Sequence, residues 1–441
     1  MKLKPVIGKV ALLGLFAKTL KPALVCLMLG ITITSAHASD SVASMFSFSG
    51  FGTMGAVHSN ASNADFTGSV FQPDGAGYSR PWAASVDSKL GVQMDAHLND
   101  KLSVVVQVVS QYRYDSTYTP QIEWANVKYQ FTPDFNIRAG RTVASPFMLS
   151  DIRLVGYAYP WIRPPQELYG VVPVTNMDGI GAGYRLHFGE VTNSVNASYG
   201  QTSSKISGDG EIKAKDFFEV SNTVEVGQLT FRIGYTSVQI NIHNPPLDAL
   251  FDGFTQFGNA ASVSGFPATG AQALALGNKY RLLDSRCSIV TVGMNYDPGD
   301  WLLMAEWAAM KSSTAVSDTT AWYITGGYRF GTFTPYLTLA QVKPDRISEP
   351  GISTAGLPPP LAAGAAGLNA GLTAVINSFA WSQKSVSVGT RWDFMKNTAL
   401  KLQYDRVILG SDSSGQLGNV QPDFQPGGTV DVFSLAVDFV F

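Results

Sequence analysis

Apolar and polar residues alternate along this chain in runs of about ten or more. In the last stretch, Phe433, Leu435, Val437, Phe439 and Phe441 fall on one face, and Ser434, Ala436, Asp438 and Val440 on the other. A period of two marks a strand whose two faces meet different surroundings. The same division recurs upstream. In "SVSVGTRWDF", Val386, Val388, Trp392 and Phe394 oppose Ser385, Ser387, Arg391 and Asp393. In "LKLQYD", Leu400, Leu402 and Tyr404 oppose Lys401, Gln403 and Asp405. "LTFRIGY" and "GIGAGYRLHF" divide likewise, with Phe231, Ile233, Ile180 and Tyr184 on the apolar side and Arg232, Arg185 and glycines on the other. One face is greasy, and the other carries charge and small residues.

A soluble sandwich also alternates, but over strands of about five or six residues. Here the segments are longer, end in aromatics, and are linked in a short and long rhythm. Tight links are expected at 99–101, 132–134, 189–190, 227, 298–300, 331–332 and 395–397. Longer loops are expected at roughly 59–85, 115–120, 144–175, 203–216, 243–285, 312–318, 345–379 and 410–429. That pattern predicts an all-β fold: an antiparallel transmembrane barrel of about 16 strands, with short periplasmic turns and long extracellular loops. The terminal strand then pairs with the first, "MFSFSGFGTMGAV", and no unpaired edge is left in hydrocarbon. Trp301, Trp307, Trp322, Tyr328, Phe330, Phe333, Trp392 and Phe394 supply the interfacial aromatic girdle, together with Phe439 and Phe441.

Composition agrees, being 45% hydrophobic and only 15% charged. Lys2, Lys4, Lys9, Lys18 and Lys21 precede and flank the apolar run "ALVCLMLGITITS", and "AHA" at Ala36 to Ala38 offers a cleavage site. Residues 1–38 therefore read as a signal peptide and 39–441 as the barrel domain. An N-terminal anchor is the alternative, disfavoured because the run is shorter than the roughly 20 residues of a spanning helix. Without the leader lysines the formal charge moves from −2 to −7. No lysine and arginine stripe points to nucleic acid. Cys287 is the one cysteine beyond the leader and reads as an inert thiol on a strand. His58, His97, His187 and His243 lie on separate segments with no nucleophile or paired ligand nearby in sequence, so neither an enzyme, a metal nor a cofactor is expected.

Several pieces resemble the general porins of Gram-negative bacteria: "SGFGT" near the start of the barrel, "YPWIRPPQELYG" in the third loop, "FTPYLTLA" after the sixth turn, "RWDFMKNTALKLQYD" in the penultimate hairpin, and the terminal Phe441. The resemblance implies an outer-membrane porin, set in outer-membrane lipid, that passes small hydrophilic solutes; the apolar fifth and seventh loops could cover its mouth, contact outer-membrane lipopolysaccharide or hold a hydrophobic solute. It implies that Phe433, Leu435, Val437, Phe439 and Phe441 form the signal read by the barrel-assembly machinery, that the third loop bends into the lumen, and that the chain is a homotrimer. The second loop, around 115–120, is short for a latch onto a neighbouring subunit.

The third loop carries Asp151, Arg153, Arg163 and Glu167, and Pro160, Pro164 and Pro165 stiffen it. Folded inward, these charges would form the pore constriction. Parity places Lys89, Arg113, Lys128, Arg138, Arg185, Arg391 and Lys401 on the lumen side, opposed by Asp95, Asp393 and Asp405. Opposed charges across a wet constriction make a transverse field, and the basic surplus favours anions. Each arginine can equally be an anchor for the loop. The fifth and seventh loops are rich in Ala, Gly and Pro, open to short helical turns or to disorder. Passive diffusion, a nutrient-selective channel, and a plugged barrel acting as adhesin or anchor are the functions this pattern leaves open.

Overall fold

The computed structural model describes residues 45–441, so the leader assigned to 1–38 lies outside the described residues. The described residues form sixteen long strands. These are β1 (Phe46–Ser59), β2 (Lys89–His97), β3 (Leu102–Gln111), β4 (Gln121–Gln130), β5 (Phe135–Val143), β6 (Asn176–Phe188), β7 (Val191–Ile206) and β8 (Gly210–Val226). They continue with β9 (Leu229–His243), β10 (Ser285–Tyr296), β11 (Trp301–Ser312), β12 (Thr319–Tyr328), β13 (Phe333–Pro344), β14 (Gln383–Met395), β15 (Thr398–Leu409) and β16 (Thr429–Val440). Each is antiparallel to the next, and β16 returns to β1 with Phe51 opposite Val440 and His58 opposite Phe433, which closes the barrel. Closure satisfies every ladder within the wall, the condition for β-structure in a bilayer.

Alternation decides the two surfaces. Phe433, Val388, Leu402, Ile233, Ile180 and Tyr184 are exposed on the outside, whereas Ser385, Ser387, Gln403, Asp405, Ser434 and Asp438 are buried on the inside. The outward aromatics gather at the short turns: Phe333 stacks on Trp392 at 5.4 Å, Trp301 meets Tyr328 edge-on at 4.8 Å, and Tyr129 meets Phe131 at 4.6 Å. Trp307 and Trp322 face each other across β11 and β12 one band higher.

The glycines of "SGFGT" have a physical role at the seam. A Cβ at Gly50 would overlap the Phe441 ring, and one at Gly52 would overlap Phe439. The two terminal aromatic rings lie across notches in β1, an arrangement that covers glycine backbone and fixes strand register. Gly50 and Phe441 also exchange backbone hydrogen bonds at 2.9 and 3.0 Å.

All seven tight links fall where the sequence places them; at Gly227 the turn needs a φ of 56°. The opposite end carries loops L1 (60–88), L2 (112–120), L3 (144–175), L4 (207–209), L5 (244–284), L6 (313–318), L7 (345–382) and L8 (410–428). L4 differs from expectation: β7 and β8 run to 16 and 17 residues and meet in a three-residue turn. "SSKISGDGEIKAKD" is polar on both faces, so its ladder extends beyond the apolar band and leaves no period of two to read. L5 and L7 are ordered as helices, and a short helix α1 (Gln166–Tyr169) lies in L3. L5 holds α2 (Pro245–Val263) and α3 (Pro267–Tyr280), and L7 holds α4 (Pro359–Ser378). Each of α2, α3 and α4 starts on proline, which suits a first helical turn, and Phe251, Phe254, Leu276, Leu372 and Ile376 make their shared core.

Candidate functional site: the lumen and its inward loop

L3 enters the barrel and follows the inner wall from β8 round through β16 to β2. At its start, Ser145 N–H donates to Glu219 on β8 at 3.0 Å, and Met148 N–H donates to Glu306 on β11 at 2.8 Å. Glu306 also accepts from the hydroxyls of Tyr169 at 2.5 Å and Tyr323 at 2.9 Å. Trp161, buried at the middle of the loop, donates its indole N–H to Thr325 and Thr338 at 3.1 and 2.9 Å. Phe147, Leu149, Tyr159, Leu168 and Tyr169 pack with wall residues Ile289, Met304, Tyr323 and Tyr336 into one apolar cluster inside the barrel. A loop with a core of its own is rigid on the timescale of diffusion through the lumen.

The tip is held by charge. Lys401 on β15 is wholly buried, and its ammonium donates to the carbonyls of Gly156, Tyr159 and Trp161 at 2.6, 2.8 and 2.6 Å. Those three bonds use its three N–H groups. Asp438 Oδ2, 2.8 Å from Nζ, is thus in ionic contact without an aligned donor, while Oδ1 accepts from Thr53 at 2.5 Å. Gly156 sits at the closest approach, where a Cβ would overlap Asp438 and Thr53. Arg391 grips Asp393 at 2.7 Å and donates to the Tyr157 and Tyr159 carbonyls at 2.5 and 3.3 Å.

Arg163 forms a fork onto Asp87 at 2.6 and 2.9 Å, reaches Asp405 at 3.3 Å and Ser434 at 2.7 Å, and is 7% exposed. Burial works against its charge, but Asp87 and Asp405 outweigh it and hold the guanidinium above its ordinary value. Glu167 is buried too and accepts from Gln383 at 2.8 Å; burial pushes its carboxyl above the usual range although the Gln383 amide pulls it down. Arg153 donates to the carbonyls of Val172 and Tyr169 at 2.7 and 2.8 Å, and burial lowers it to about 10, still charged at neutral pH.

The sequence-derived set of opposed constriction charges is therefore rearranged. Arg163, Glu167, Arg391, Lys401, Asp393 and Asp405 are on the lumen side of the wall or on the inward loop, but they face each other, L3 backbone or, for Glu167, the Gln383 amide, under the loop. Among the predicted loop charges, Asp151 is exposed and Arg153 half-buried. The wall that L3 leaves free, β3 to β7, turns Asn126, Lys128, Asn136, Arg138, Arg185 and Asn196 inward by alternation. Lys128 pairs in register with Arg138 on the next strand. Asp95 bonds to Gln93 at 2.8 Å on β2. Opposite this polar arc, L3 offers Ile152, Leu154, Val155 and Ala158, partly or fully exposed.

Above L3, a cavity of about 330 Å³ opens between L1, L2, L3 and the outer ends of β2, β4 and β7. Lys89, Arg113 and Arg153 line it. Asp87, Glu219, Glu306 and Asp438 were not singled out from sequence as loop anchors; each is an acid on an inward-facing run or at its edge, and only the path of L3 gives it a partner. Among the described residues no group of three or more His, Cys, Asp or Glu side chains is placed to hold a metal, and Cys287 is buried and unpaired in any disulfide.

A closed, lipid-faced sixteen-strand barrel narrowed by its third loop has known counterparts. The fold is that of the outer-membrane porins. It is similar to the anion-selective porin from Comamonas acidovorans with a TM-score of 0.51 at 11% identity, covering 90% of this chain and 99% of that one. The Salmonella typhi OmpF complex with daunomycin aligns with a TM-score of 0.51 at 13% identity, over 90% of this chain and 97% of that one. The outer-membrane channel DcaP of Acinetobacter baumannii aligns with a TM-score of 0.52 at 13% identity, over the same shares, 90% and 97%. No family model matches the sequence, and no curated protein matches it significantly. The architecture is that of an integral outer-membrane protein.

Proposed function

We propose that this chain is a general-type porin of the outer membrane: a water-filled channel for passive diffusion of small hydrophilic solutes, with a preference for anions and no catalytic role. One observation carries the reading. L3 lies clamped along one arc of the wall from β8 to β2, and the arc it leaves open is polar and basic, with Lys128, Arg138 and Arg185 facing the gap by alternation. Fixed positive charge along a narrow aqueous path raises local anion concentration and disfavours cations. The leader at 1–38, recognition of Phe433 to Phe441 by the assembly machinery, contact with lipopolysaccharide, and a homotrimer belong to the same proposal.

Planar-bilayer recording tests it. A steady ohmic conductance with a reversal potential on the anion side of a potassium chloride gradient is expected. An absence of conductance from correctly folded barrel would instead favour the plugged adhesin or anchor, and sinks the channel reading.

A further inference from the structure

The cavity above L3 is built unlike the rest of the lumen. Its volume, about 330 Å³, is that of a small-ligand site. Of the charged groups around it, Asp87 is engaged through both oxygens by Arg163, and Arg141 is paired with Asp178 at 2.7 Å. Lys89, Arg113 and Arg153 have no carboxylate within ion-pair distance among the described residues. Arg153 is oriented by two neutral carbonyls, which fix it without cancelling its charge. Arg113 carries Nε and Nη2 buried and without a partner. Leu154, Pro173 and Val174 of L3 supply apolar surface to the same cavity.

We propose that this cavity is a capture site for small organic anions that carry an apolar body: a carboxylate or sulfonate set against Lys89, Arg113 and Arg153, with its hydrocarbon or ring against Leu154, Pro173 and Val174. The proposal rests on the porin reading and names the solute class that the channel concentrates. Inorganic anions answer only the charged half of the cavity and keep their hydration. A carboxylate or sulfonate accepts two guanidinium N–H bonds at once, and an apolar tail displaces water from the L3 side. The loops place this site on the outer side of L3, so capture precedes passage along the basic arc.

The test uses the whole barrel in planar bilayers with potassium chloride, adding benzenesulfonate, methanesulfonate or benzyltrimethylammonium from the loop side. Benzenesulfonate should reduce the current with a saturating dose dependence. Methanesulfonate should need at least ~10-fold more, and the aromatic cation should not block, because the site needs both halves. Arg113→Gln and Lys89→Gln should each raise the half-blocking concentration of benzenesulfonate by roughly tenfold, the worth of one charge-assisted contact. Val174→Ser should weaken benzenesulfonate and leave methanesulfonate unmoved. Equal block by the two sulfonates, or an unaltered half-block in both charge variants, overturns the site. Isothermal titration of benzenesulfonate into the detergent-solubilised barrel reads the cavity without current. Binding without conductance would keep the site and sink the channel; conductance without binding or block would do the reverse.

Discussion

Lys401 is the test of whether L3 is clamped or merely lies in the lumen. Replacing it by methionine keeps much of the side-chain volume but removes the ammonium that holds three L3 carbonyls and faces Asp438, in a place where Lys401 and Asp438 are both wholly inaccessible. Three carbonyls and one carboxylate lose their partner together. Breaking one member of a buried, hydrogen-bonded ion pair costs about 3–5 kcal/mol, because the remaining charge stays buried. At ~1.4 kcal/mol per tenfold, the opening equilibrium of the tip should rise by about two to three and a half orders of magnitude. Hydrogen exchange followed by mass spectrometry on the detergent-folded barrel reads this directly. In Lys401→Met, amides from 156 to 163, including the Ile162 N–H that donates to Gln403 at 3.0 Å, should exchange at least ~100-fold faster, while the strand ladders of β10 to β13 keep their protection. Adding Asp438→Asn removes the stranded charge and should return part of the protection, a coupling that a double-mutant cycle isolates. A rise below about tenfold in L3, with the wall intact, would refute the clamp and with it the rigid division of the lumen.

The same reasoning separates other roles. Lys128→Gln with Arg138→Gln should move the reversal potential toward cations, since these residues line the free arc; an unchanged selectivity would remove that arc from the conduction path. Arg163→Gln leaves Asp87 and Asp405 without their buried partner, a loss of about 3–5 kcal/mol in loop seating, and should appear as added open-channel noise rather than as a selectivity change. Gly52→Val drives a side chain into the Phe439 ring and should cut the heat-modifiable folded fraction several-fold, as should deletion of Phe441; normal outer-membrane levels of either would break the seam argument. Glu167 has a folded-state value above its unfolded one, so the native state binds the proton more readily and gains stability as pH falls through that raised value. The wild-type thermal midpoint should then rise as pH falls toward the ordinary carboxylate range, relative to Glu167→Gln, and parallel curves for the two would contradict the burial of its charge.

Alternation carried most of the fold because the membrane imposes it: Leu402 and Tyr404 must meet lipid while Lys401 and Gln403 must not, and a two-residue period records that along each strand. It failed at L4, where β7 and β8 rise past the apolar band and both faces of "SSKISGDG" meet water. It was weak for L5 and L7, whose helices bury Phe254 and Leu372 against each other across about a hundred residues of sequence and show only a diffuse apolar stripe. The lumen exposes a deeper limit. Lys401 and Arg138 share a parity, yet one is sealed under L3 and the other is turned toward the space L3 leaves, and what separates them is contacts between residues some 240 positions apart. Period tells which side of the wall a charge is on; it does not tell what lies over it. A sum of inward charges therefore overstates the field in the bore. Arg391 and Lys401 act on L3 carbonyls and Arg163 on Asp87 and Asp405, so under the proposed channel function the field in the bore would come from the smaller set on β4, β5 and β6, together with Arg113, Arg153 and Lys89 beside the cavity.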